Sequence, residues 1–248
     1  MVSVVMPAHK FHPDVLESIE SVLHQTDYLA ELIVVDDSGN GEVAAKVSES
    51  ISDDKLKFVI NSRNLGSGPS RNAGVEAATS EFLAFCDSDD LWMPEKLKLQ
   101  VDFMIKEKLT FSFTSYSAFD TSSGKTLYTV KCNKPLQLWD FLKNTLICTS
   151  TVILDRKRLG DIIYFPPIRT SQDTACWIGI LKMGATAVPF NRVLSSYREG
   201  NTKATSNKKK AAFEYFQLIR TSVPLSFIPA AYCFVAYALN ATLKRLRR

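Results

Sequence analysis

The sequence predicts an α/β fold in which a mostly parallel, Rossmann-like central sheet is flanked by helices. Short apolar runs rich in β-branched residues alternate with longer segments whose apolar residues recur at helical spacing. Strands that alternate with helices in this way form parallel sheets with right-handed crossovers. Two of the apolar runs also end in clusters of acidic residues. Because ligands of open α/β sheets bind beyond the carboxyl ends of the strands, these clusters predict a ligand site.

The first elements follow from runs near the start of the chain. An apolar run from Val2 to Met6, ended by Pro7, predicts a buried strand. Pro13 to Gln25 places its apolar residues at helical spacing and predicts the first helix. The run from Leu32 to Val35 predicts the second strand.

The same alternation continues to the second acidic cluster. Val43 to Ile51 predicts a short helix, and Leu56 to Ile60 predicts a third strand. Gly66-Ser67-Gly68-Pro69 opens a helix that runs to about Thr79. The apolar and aromatic run from Phe82 to Cys86 predicts a fourth strand.

After Lys108 the pattern becomes less regular. Strands are predicted over 109–119 and 151–154, helices over 136–146 and 171–183, and an extended segment over 187–197.

Composition places the chain among ordinary globular proteins. Its 248 residues are 46% hydrophobic and 23% charged, enough for one large domain or a domain with an appended segment. The five cysteines are odd in number and form no CxxC pair, which disfavours both a disulfide framework and a zinc site. We expect them to be small buried hydrophobes in a reducing compartment. The N-terminal segment lacks a basic region and reaches a proline early, so a cytoplasmic location is expected.

Common catalytic motifs of other classes are missing from the sequence. His9, His12 and His24 all lie near the first predicted helix, form no HExxH motif and are expected on the surface or in loops. Neither a Gly-x-Ser-x-Gly elbow nor a P-loop pattern is present. Gly66-Ser67-Gly68 follows the third strand and lacks a third glycine, so it is a weak dinucleotide signal.

The most informative stretch is Asp87-Ser88-Asp89-Asp90, which follows the fourth strand directly. Hard carboxylate oxygens there suit Mg²⁺ or Mn²⁺, ions that bridge one or two carboxylates to the phosphates of a substrate. The alternative is a helix cap, because Asp and Ser also favour the N-cap position before a run such as Leu91 to Glu95.

A second acidic pair, Asp36-Asp37, follows the second strand. In a parallel sheet the ends of strands two and four can share one edge, which would bring this pair near the first cluster. A carboxylate of the pair can accept a hydrogen bond from the N3–H of uracil, while the other cluster holds the metal. The alternative is that both clusters only form turns.

Four motifs, in this order, resemble the family 2 glycosyltransferases with the GT-A fold. They lie within about the first 100 residues and comprise Val4 to Ala8, Leu32 to Ser38, Arg63 to Gly66 with Ser70 to Gly74, and Phe85 to Asp90. They are similar to that family's opening strand, uracil-binding acid, glycine-containing loop and DxD-type metal motif, respectively.

Two later segments resemble the family more weakly. Ser171 to Trp177 is similar to its Glu-Asp-x-x-x-Trp segment, whose Asp is the general base, although Gln172 replaces the usual Glu. The resemblance implies that Asp173 is the base; the alternative is a helix N-cap. Val193 to Arg198 resembles a strand whose Tyr-Arg pair precedes a flexible loop, expected here over 199–210.

The resemblance implies an inverting transfer of a sugar from a nucleotide donor to a hydroxyl. Asp173 is the expected catalytic base, and Asp89 with Asp87 would hold Mn²⁺ or Mg²⁺. The expected donor-binding residues are Pro7, Ala8, Asp36, Asp37, Asn64, Gly66, Arg71, Asp87, Ser88, Asp90 and Arg198. Arg71 and Arg198 are phosphate contacts or plain salt bridges, and Asp90 orients a sugar or caps a helix.

The resemblance also divides the chain into three parts. Residues 1–107 form the nucleotide-sugar-binding half and residues 108–202 the acceptor-binding, catalytic half of one GT-A domain. Residues 203–248 form a basic and apolar helical tail.

The tail has nine Lys and Arg residues against the single acid Glu214, whereas the rest of the chain is net acidic. Residues 223–243 carry no charge, but Pro224 and Pro229 interrupt them and aromatic residues suit an interface. We therefore expect the tail to lie on the inner face of the cytoplasmic membrane rather than to span it. The alternative is a helix that covers the catalytic domain.

Within the family, the chain resembles bacterial O-antigen and capsule enzymes with a DxDD motif. This implies a UDP-sugar donor, with UDP-glucose as first choice and UDP-galactose as second, and a lipid-diphosphate-linked sugar as acceptor. Another nucleotide-sugar-handling enzyme, such as a nucleotidyltransferase, and a non-catalytic membrane-surface protein are the alternatives. No nucleic-acid partner is expected, and the oligomeric state is left open.

Overall fold

The computed structural model describes residues 1–25, 27–121, 123–199, 208–223 and 225–246. The strands are β1 (Val2–Ala8), β2 (Leu29–Asp36), β3 (Leu56–Ile60), β4 (Phe82–Phe85), β5 (Leu91–Trp92), β6 (Phe111–Asp120), β7 (Thr126–Val130), β8 (Ile153–Asp155) and β9 (Val188–Glu199). The helices are α1 (Pro13–Leu23), α2 (Glu42–Ser50), α3 (Ser67–Ala77), α4 (Lys96–Lys106), α5 (Leu138–Lys143), α6 (Arg156–Leu159), α7 (Gln172–Lys182), α8 (Lys208–Ser222) and α9 (Phe227–Leu246).

Within those residues, nine strands form one sheet. Eight of them run in the order β3-β2-β1-β4-β8-β6-β9-β5, and β7 pairs with β6. The first four are mutually parallel, as the sequence predicts. The second half is mixed, because β8 runs antiparallel to both β4 and β6, whereas β9 is parallel to β6.

The pair of residues after Asp90 corrects one expectation. Leu91 and Trp92 form strand β5 and pair with Ser196 and Ser195 of β9. The next helix, α4, begins only at Lys96 and has Glu95 at its N-cap. The interpretation of the Asp87–Asp90 cluster as a helix cap is therefore wrong.

Side chains on the two faces of the sheet form two cores. Along β1, Val5 contributes to one core, while Val4 and Met6 contribute to the other. This alternation is the period-two pattern of a strand that is buried on both faces. Helices α1, α2 and α4 cover one face, and α5, α7, α8 and α9 contribute to the core on the other.

Helix α3 approaches β1 closely because Gly74 has no side chain. A Cβ atom at this position would lie 2.3 Å from the Cγ1 atom of Val5 and 3.2 Å from the Cγ2 atom of Val35. The close approach fixes the start of α3, and with it Ser70 and Arg71, beside the ends of the parallel strands.

The two C-terminal helices pack on α5. The Tyr215 hydroxyl of α8 donates to the carbonyl of Leu142 at 2.6 Å, and Asn240 of α9 donates to the carbonyl of Lys143 at 3.0 Å. Within the described residues, no helix combines the length and apolar character needed to cross a membrane. The expected domain boundary at 202/203, Pro224 and the last two arginines lie outside the described residues, as does most of the predicted loop over 199–210.

The cysteines are mostly small buried side chains, as the sequence predicts. Four of the five are buried and Cys148 is half-buried, and all five are free thiols.

Candidate active site

A cleft of about 590 Å³ lies at the carboxyl edge of the parallel strands. The ends of β1, β2 and β4, the start of α3 and the start of α7 contribute its walls. It is lined by Pro7, Ala8, His9, His12, Asp37, Asn64, Gly66, Ser67, Ser70, Arg71, Asp87, Ser88, Asp89, Thr149, Arg169, Gln172 and Asp173. As expected, the fold brings the acidic clusters that follow β2 and β4 to the same edge of the sheet.

The neighbouring residues Asp36 and Asp37 lie in different surroundings, one outside the cleft lining and the other in it. Asp36 is fully buried outside the cleft lining, and its two oxygens accept from the amides of Ser38 at 2.9 Å and Ala44 at 2.8 Å. It therefore joins the end of β2 to the first turn of α2. Both carboxylate oxygens of Asp36 are thus engaged away from the cleft, and its expected donor contact stays a prediction.

Asp37 lies at the cleft and organises the loop that follows β3. Its carboxylate accepts from the amides of Leu65 at 2.9 Å and Gly66 at 2.8 Å, and from the side-chain amides of Asn61 at 2.8 Å and Asn64 at 3.0 Å. These four hydrogen bonds fix the carboxylate and the loop relative to each other. Gly66 itself has φ of 91°, a conformation that glycine adopts without strain.

Asp87 and Arg71 form an ion pair in the floor of the cleft. The Nη2 atom of Arg71 donates to Oδ1 of Asp87 at 2.5 Å, and the guanidinium lies 5.6 Å from the centroid of the Phe165 ring. Burial opposes its charge, but Asp87 and Asp173 outweigh this and raise the pKa of Arg71. Its Nε and Nη1 atoms are buried and have no hydrogen-bond partner among the described residues.

The surroundings of Asp89 disfavour the negative charge of its carboxylate. Burial, followed by the charge of Asp87, raises the pKa of Asp89 to about 6. In the described part of the chain, no other side chain donates a hydrogen bond to its carboxylate. Two cleft-lining carboxylates that raise the cost of each other's charge are a donor set that a hard divalent cation would neutralise.

Asp90 lies beneath the cleft rather than in its lining. It is 1% exposed, and its carboxylate accepts from the Ser150 hydroxyl at 2.5 Å and from the Arg198 amide at 3.3 Å. Burial, with the charges of Asp87 and Asp89, raises the pKa of Asp90 well above its usual value. In this position Asp90 links β9 to the Asp87–Asp90 segment, and its expected contact with a sugar stays a prediction.

Arg198 makes salt bridges and lies outside the cleft lining. Its guanidinium lies 3.1 Å from Asp14 and 2.7 Å from Glu17, both on α1, and its Nε donates to the carbonyl of Asp89 at 2.9 Å. The second of the two predicted roles, the salt bridge, therefore describes the structure. These ion pairs join β9 to α1, and the phosphate contact of Arg198 stays a prediction.

Asp173 faces the cleft from the first turn of α7. Its Oδ2 accepts from the Thr149 hydroxyl at 3.1 Å, and its Oδ1 accepts from the amide of Thr174 at 2.7 Å. The N-cap position of α7 is Ser171, so the interpretation of Asp173 as the cap is wrong. A half-exposed carboxylate at the wall of a cleft can accept a proton from a bound hydroxyl.

An aromatic cluster fixes α7 behind this carboxylate. Trp177, one helical turn after Asp173, is fully buried, and its ring lies 5.9 Å from Phe85, 5.4 Å from Phe111 and 5.7 Å from Phe165 between centroids. Phe85 is the last residue of β4, so one cluster supports both the metal-motif strand and the helix of Asp173.

Several cleft residues escaped the sequence prediction. Thr149 belongs to a short 3-10 turn and Arg169 to an irregular segment, and neither carries a periodic or motif signal. His9 and His12, expected on the surface or in loops, lie in the loop after β1 and line the cleft. The Nδ1 atom of His9 is 2.8 Å from the Asn64 side-chain nitrogen.

The metal expectation rests on two carboxylates. Among the described residues, no group of three or more His, Cys, Asp or Glu side chains is arranged to hold a metal. The protein donors that fit a hard cation are Asp87 and Asp89, so the remaining ligands would come from a substrate and water, as is usual for Mg²⁺ at phosphate sites.

A sheet whose parallel strands end in a carboxylate motif, faced by a carboxylate from a later helix, is the arrangement of a glycosyltransferase with the GT-A fold. The chain belongs to glycosyl transferase family 2, whose description its residues 3–162 match. It is therefore a glycosyltransferase, and the nucleotidyltransferase and non-catalytic alternatives are set aside.

Relatives and solved structures agree with this assignment. The chain is 36% identical to a candidate teichuronic acid biosynthesis glycosyltransferase, TuaG, of Bacillus subtilis (strain 168), over 99% of this chain and 98% of the relative. It is 34% identical to the UDP-Glc:alpha-D-GlcNAc-diphosphoundecaprenol beta-1,3-glucosyltransferase WfgD of Escherichia coli, over 85% and 81% of the two chains. The structure of S. aureus TarS 1-349 in complex with UDP-GlcNAc superimposes with a TM-score of 0.73 at 19% identity, over 97% of this chain and 71% of that chain, which establishes the shared fold.

Proposed function

We propose that the protein is an inverting hexosyltransferase of bacterial surface polysaccharide biosynthesis. It would move glucose, or as second choice galactose, from a UDP-sugar to a hydroxyl of a lipid-diphosphate-linked sugar. The observation that carries the proposal is that Asp173 and the Asp87–Asp89 motif line the same cleft. The similarity to WfgD, a UDP-Glc:alpha-D-GlcNAc-diphosphoundecaprenol beta-1,3-glucosyltransferase, supports the choice of donor and acceptor.

The carboxylate of Asp173 acts as the general base of a single displacement. The acceptor oxygen forms a bond to the anomeric carbon while the bond from that carbon to the diphosphate oxygen breaks, so the configuration inverts. The hydroxyl proton passes to Asp173. Hydrogen bonds from Thr149 and the amide of Thr174 orient the carboxylate for this transfer.

The donor occupies the side of the cleft formed by the strand ends. Pro7, Ala8 and the Asn64–Gly66 loop hold the nucleoside, and Asp37 keeps that loop in place through its four hydrogen bonds. Ser88, which also lines the cleft, contacts the donor in this proposal. Arg71 neutralises Asp87 and so reduces the negative charge of the floor on which the phosphates lie.

Asp89 and Asp87 would hold Mn²⁺ or Mg²⁺. When bound, the cation supplies charge stabilisation to the departing diphosphate. A mannosyltransferase from Pyrobaculum calidifontis, solved in complex with GDP-Man and Mn²⁺, shares the fold with a TM-score of 0.67 at 19% identity, over 96% of this chain and 68% of that chain.

We infer a peripheral position on the inner face of the cytoplasmic membrane, mediated by the C-terminal helices. One face of α9 packs on the domain, whereas the opposite face exposes large apolar side chains at helical spacing. This surface, here called the α9 stripe, consists of Ile228, Tyr232, Val235 and Leu239, which are 80%, 66%, 54% and 60% exposed. An exposed apolar stripe on a basic segment suits an anionic bilayer.

The test is UDP release from a panel of UDP-sugars, measured with and without Mn²⁺ and with and without a short lipid-diphosphate N-acetylhexosamine. We expect release that requires the metal and the acceptor and that is fastest with UDP-glucose. Failure of every UDP-sugar to support acceptor-dependent release would contradict the proposal, and preference for another sugar would correct the donor.

A further inference from the structure

A second cavity adjoins the cleft. It has a volume of about 750 Å³ and lies between the segment that precedes α7 and one face of α8; we call it the α8 groove. Arg169 lines both cavities, and its Nη1 donates to Asn64 in the cleft at 3.1 Å. Ser171 lines the groove and Asp173, two residues later, lines the cleft. A ligand in the groove would therefore have one end next to the proposed base.

The groove is lined by groups that suit an amphiphile with an anionic head. Arg169 and Arg220 are its cations, and Ile168 and Phe213 are large apolar side chains that remain 40% and 60% exposed. Glu214 is the acid in the lining, and its carboxylate accepts from the Thr170 hydroxyl at 2.7 Å. The lining thus keeps a net positive charge beside exposed apolar surface.

The apolar part of the groove continues onto α9. Phe216 lines the groove, and its ring centroid lies 6.1 Å from that of Phe227 at the start of α9. Phe227 is 64% exposed, and it precedes Ile228 of the α9 stripe. Exposed apolar surface therefore extends from the proposed bilayer contact to the groove, and Arg169 connects the groove to the cleft.

We propose that the α8 groove binds the diphosphate and the first part of the hydrocarbon chain of the lipid-linked acceptor. This inference rests on the proposed function. Arg169 and Arg220 pair with the diphosphate oxygens, and Phe213 and Phe216 contact the chain. The sugar then extends past Ser171 to Asp173, while the rest of the chain follows the apolar surface towards the bilayer.

The kinetic test uses Arg220→Gln, which lies outside the cleft. We expect the KM for a lipid-diphosphate N-acetylglucosamine to rise about tenfold, because one charge-assisted contact is lost. The KM for the donor and the rate with octyl N-acetylglucosaminide, which has no phosphate, should not change. Arg192→Gln, an exposed arginine on β9, is the matched control. An equal loss of kcat/KM with both acceptors, or no loss with either, would overturn the proposal.

A binding measurement separates this proposal from the proposed function. Farnesyl diphosphate is titrated calorimetrically into the wild-type protein, Arg220→Gln and Arg192→Gln, with UDP and Mn²⁺ present to fill the donor cleft. Farnesyl diphosphate should still bind when UDP is present, and its affinity should fall at least about fivefold in Arg220→Gln but not in Arg192→Gln. It should also bind the wild-type protein more tightly than farnesol or pyrophosphate does.

The outcomes of the two experiments are distinct. Displacement by UDP, or equal affinity in both variants, would refute the groove even in an active transferase. Arg220-dependent binding in a protein that transfers no sugar would refute the proposed function and leave the groove as a lipid-diphosphate site.

Discussion

At the scale of single residues, access to the cleft separates the structural carboxylates from those proposed to take part in the chemistry. Asp36 and Asp90 are buried and have both oxygens engaged by other parts of the chain. Asp89 and Asp173 line the cleft instead. The sequence could place all four at strand or helix ends, but it could not tell Asp36 from Asp37, because the orientation of each depends on where α2 and the Asn64 loop pack.

Replacing Asp173 with Asn tests the base. The amide cannot take the acceptor proton, so we expect kcat to fall by about 10²–10⁴-fold. Affinity for UDP should remain within about twofold, because Asp173 is reserved for the acceptor in this mechanism. Steady-state rates and UDP titration check both expectations, with Asp161→Asn on the surface as control; an active Asp173→Asn enzyme would exclude the assigned role.

Glu31 is predicted to make stability depend on acid pH. Burial opposes its charge, but hydrogen bonds from Lys57, Ser3 and Thr79 outweigh burial and lower the pKa of Glu31 to about 2, against 4.5 for the free side chain. A lowered pKa stabilises the fold above about pH 4.5, and that contribution is lost as the pH falls towards 2.

Glu31→Gln should therefore unfold about 2–3 kcal/mol more easily at pH 7, with a smaller difference at pH 3. Urea denaturation at the two pH values measures this difference. Glu49→Gln, an exposed change on α2, should leave the stability unaltered. A pH-independent deficit in Glu31→Gln would show that lost packing, rather than charge, causes the effect.

At the scale of elements, the spacing of apolar residues predicts those strands and helices whose positions depend on the local sequence. The strands β1 to β4 and helices α1 to α3 begin and end within a few residues of the prediction, because local apolar patterns and the turn residues between them mark these elements. The two-residue strand β5 has no such signal, since pairing with β9 creates it. Strand β7 is also missed, because its side chains are mostly exposed.

The α9 stripe gives an element-scale prediction. Ile228→Ser combined with Leu239→Ser removes apolar area from the exposed face and should weaken binding to anionic vesicles about tenfold. Vesicle co-sedimentation measures the effect. The matched control, Ile105→Ser with Met183→Ser, changes side chains that are 54% and 68% exposed elsewhere. Equal binding of both double variants would show that the stripe is not the bilayer contact.

At the scale of the whole molecule, the net charge divides between an acidic body and a basic tail. The alternation of strands and helices predicted the parallel half of the sheet. It could not predict that β8 would enter between β4 and β6 in the opposite direction, since that order is set by tertiary pairing. The sequence could not predict the α8 groove either, because Arg169 and Phe213 are far apart in the sequence and line one cavity only in the folded chain.

The charge division predicts a salt-sensitive membrane association. Attraction between the basic tail and anionic lipid should decrease as salt rises from about 0.05 to 0.5 M, while vesicles of neutral lipid should bind weakly throughout. Flotation of the full chain with both vesicle types measures this. Salt-independent binding of equal strength to both lipids would assign the association to apolar contact alone.

The burial of the cysteines has a practical consequence for labelling. Burial raises the pKa of Cys86 and Cys148 well above the ordinary thiol value, and it raises the pKa of Cys176 and Cys233 as well. Because the thiolate is the reactive form, these native side chains react slowly with maleimides at neutral pH. A cysteine introduced at Met183, which is 68% exposed, would take up a probe selectively in the otherwise unaltered chain. One fluorophore or spin label at that position would then report the orientation of the domain above a bilayer.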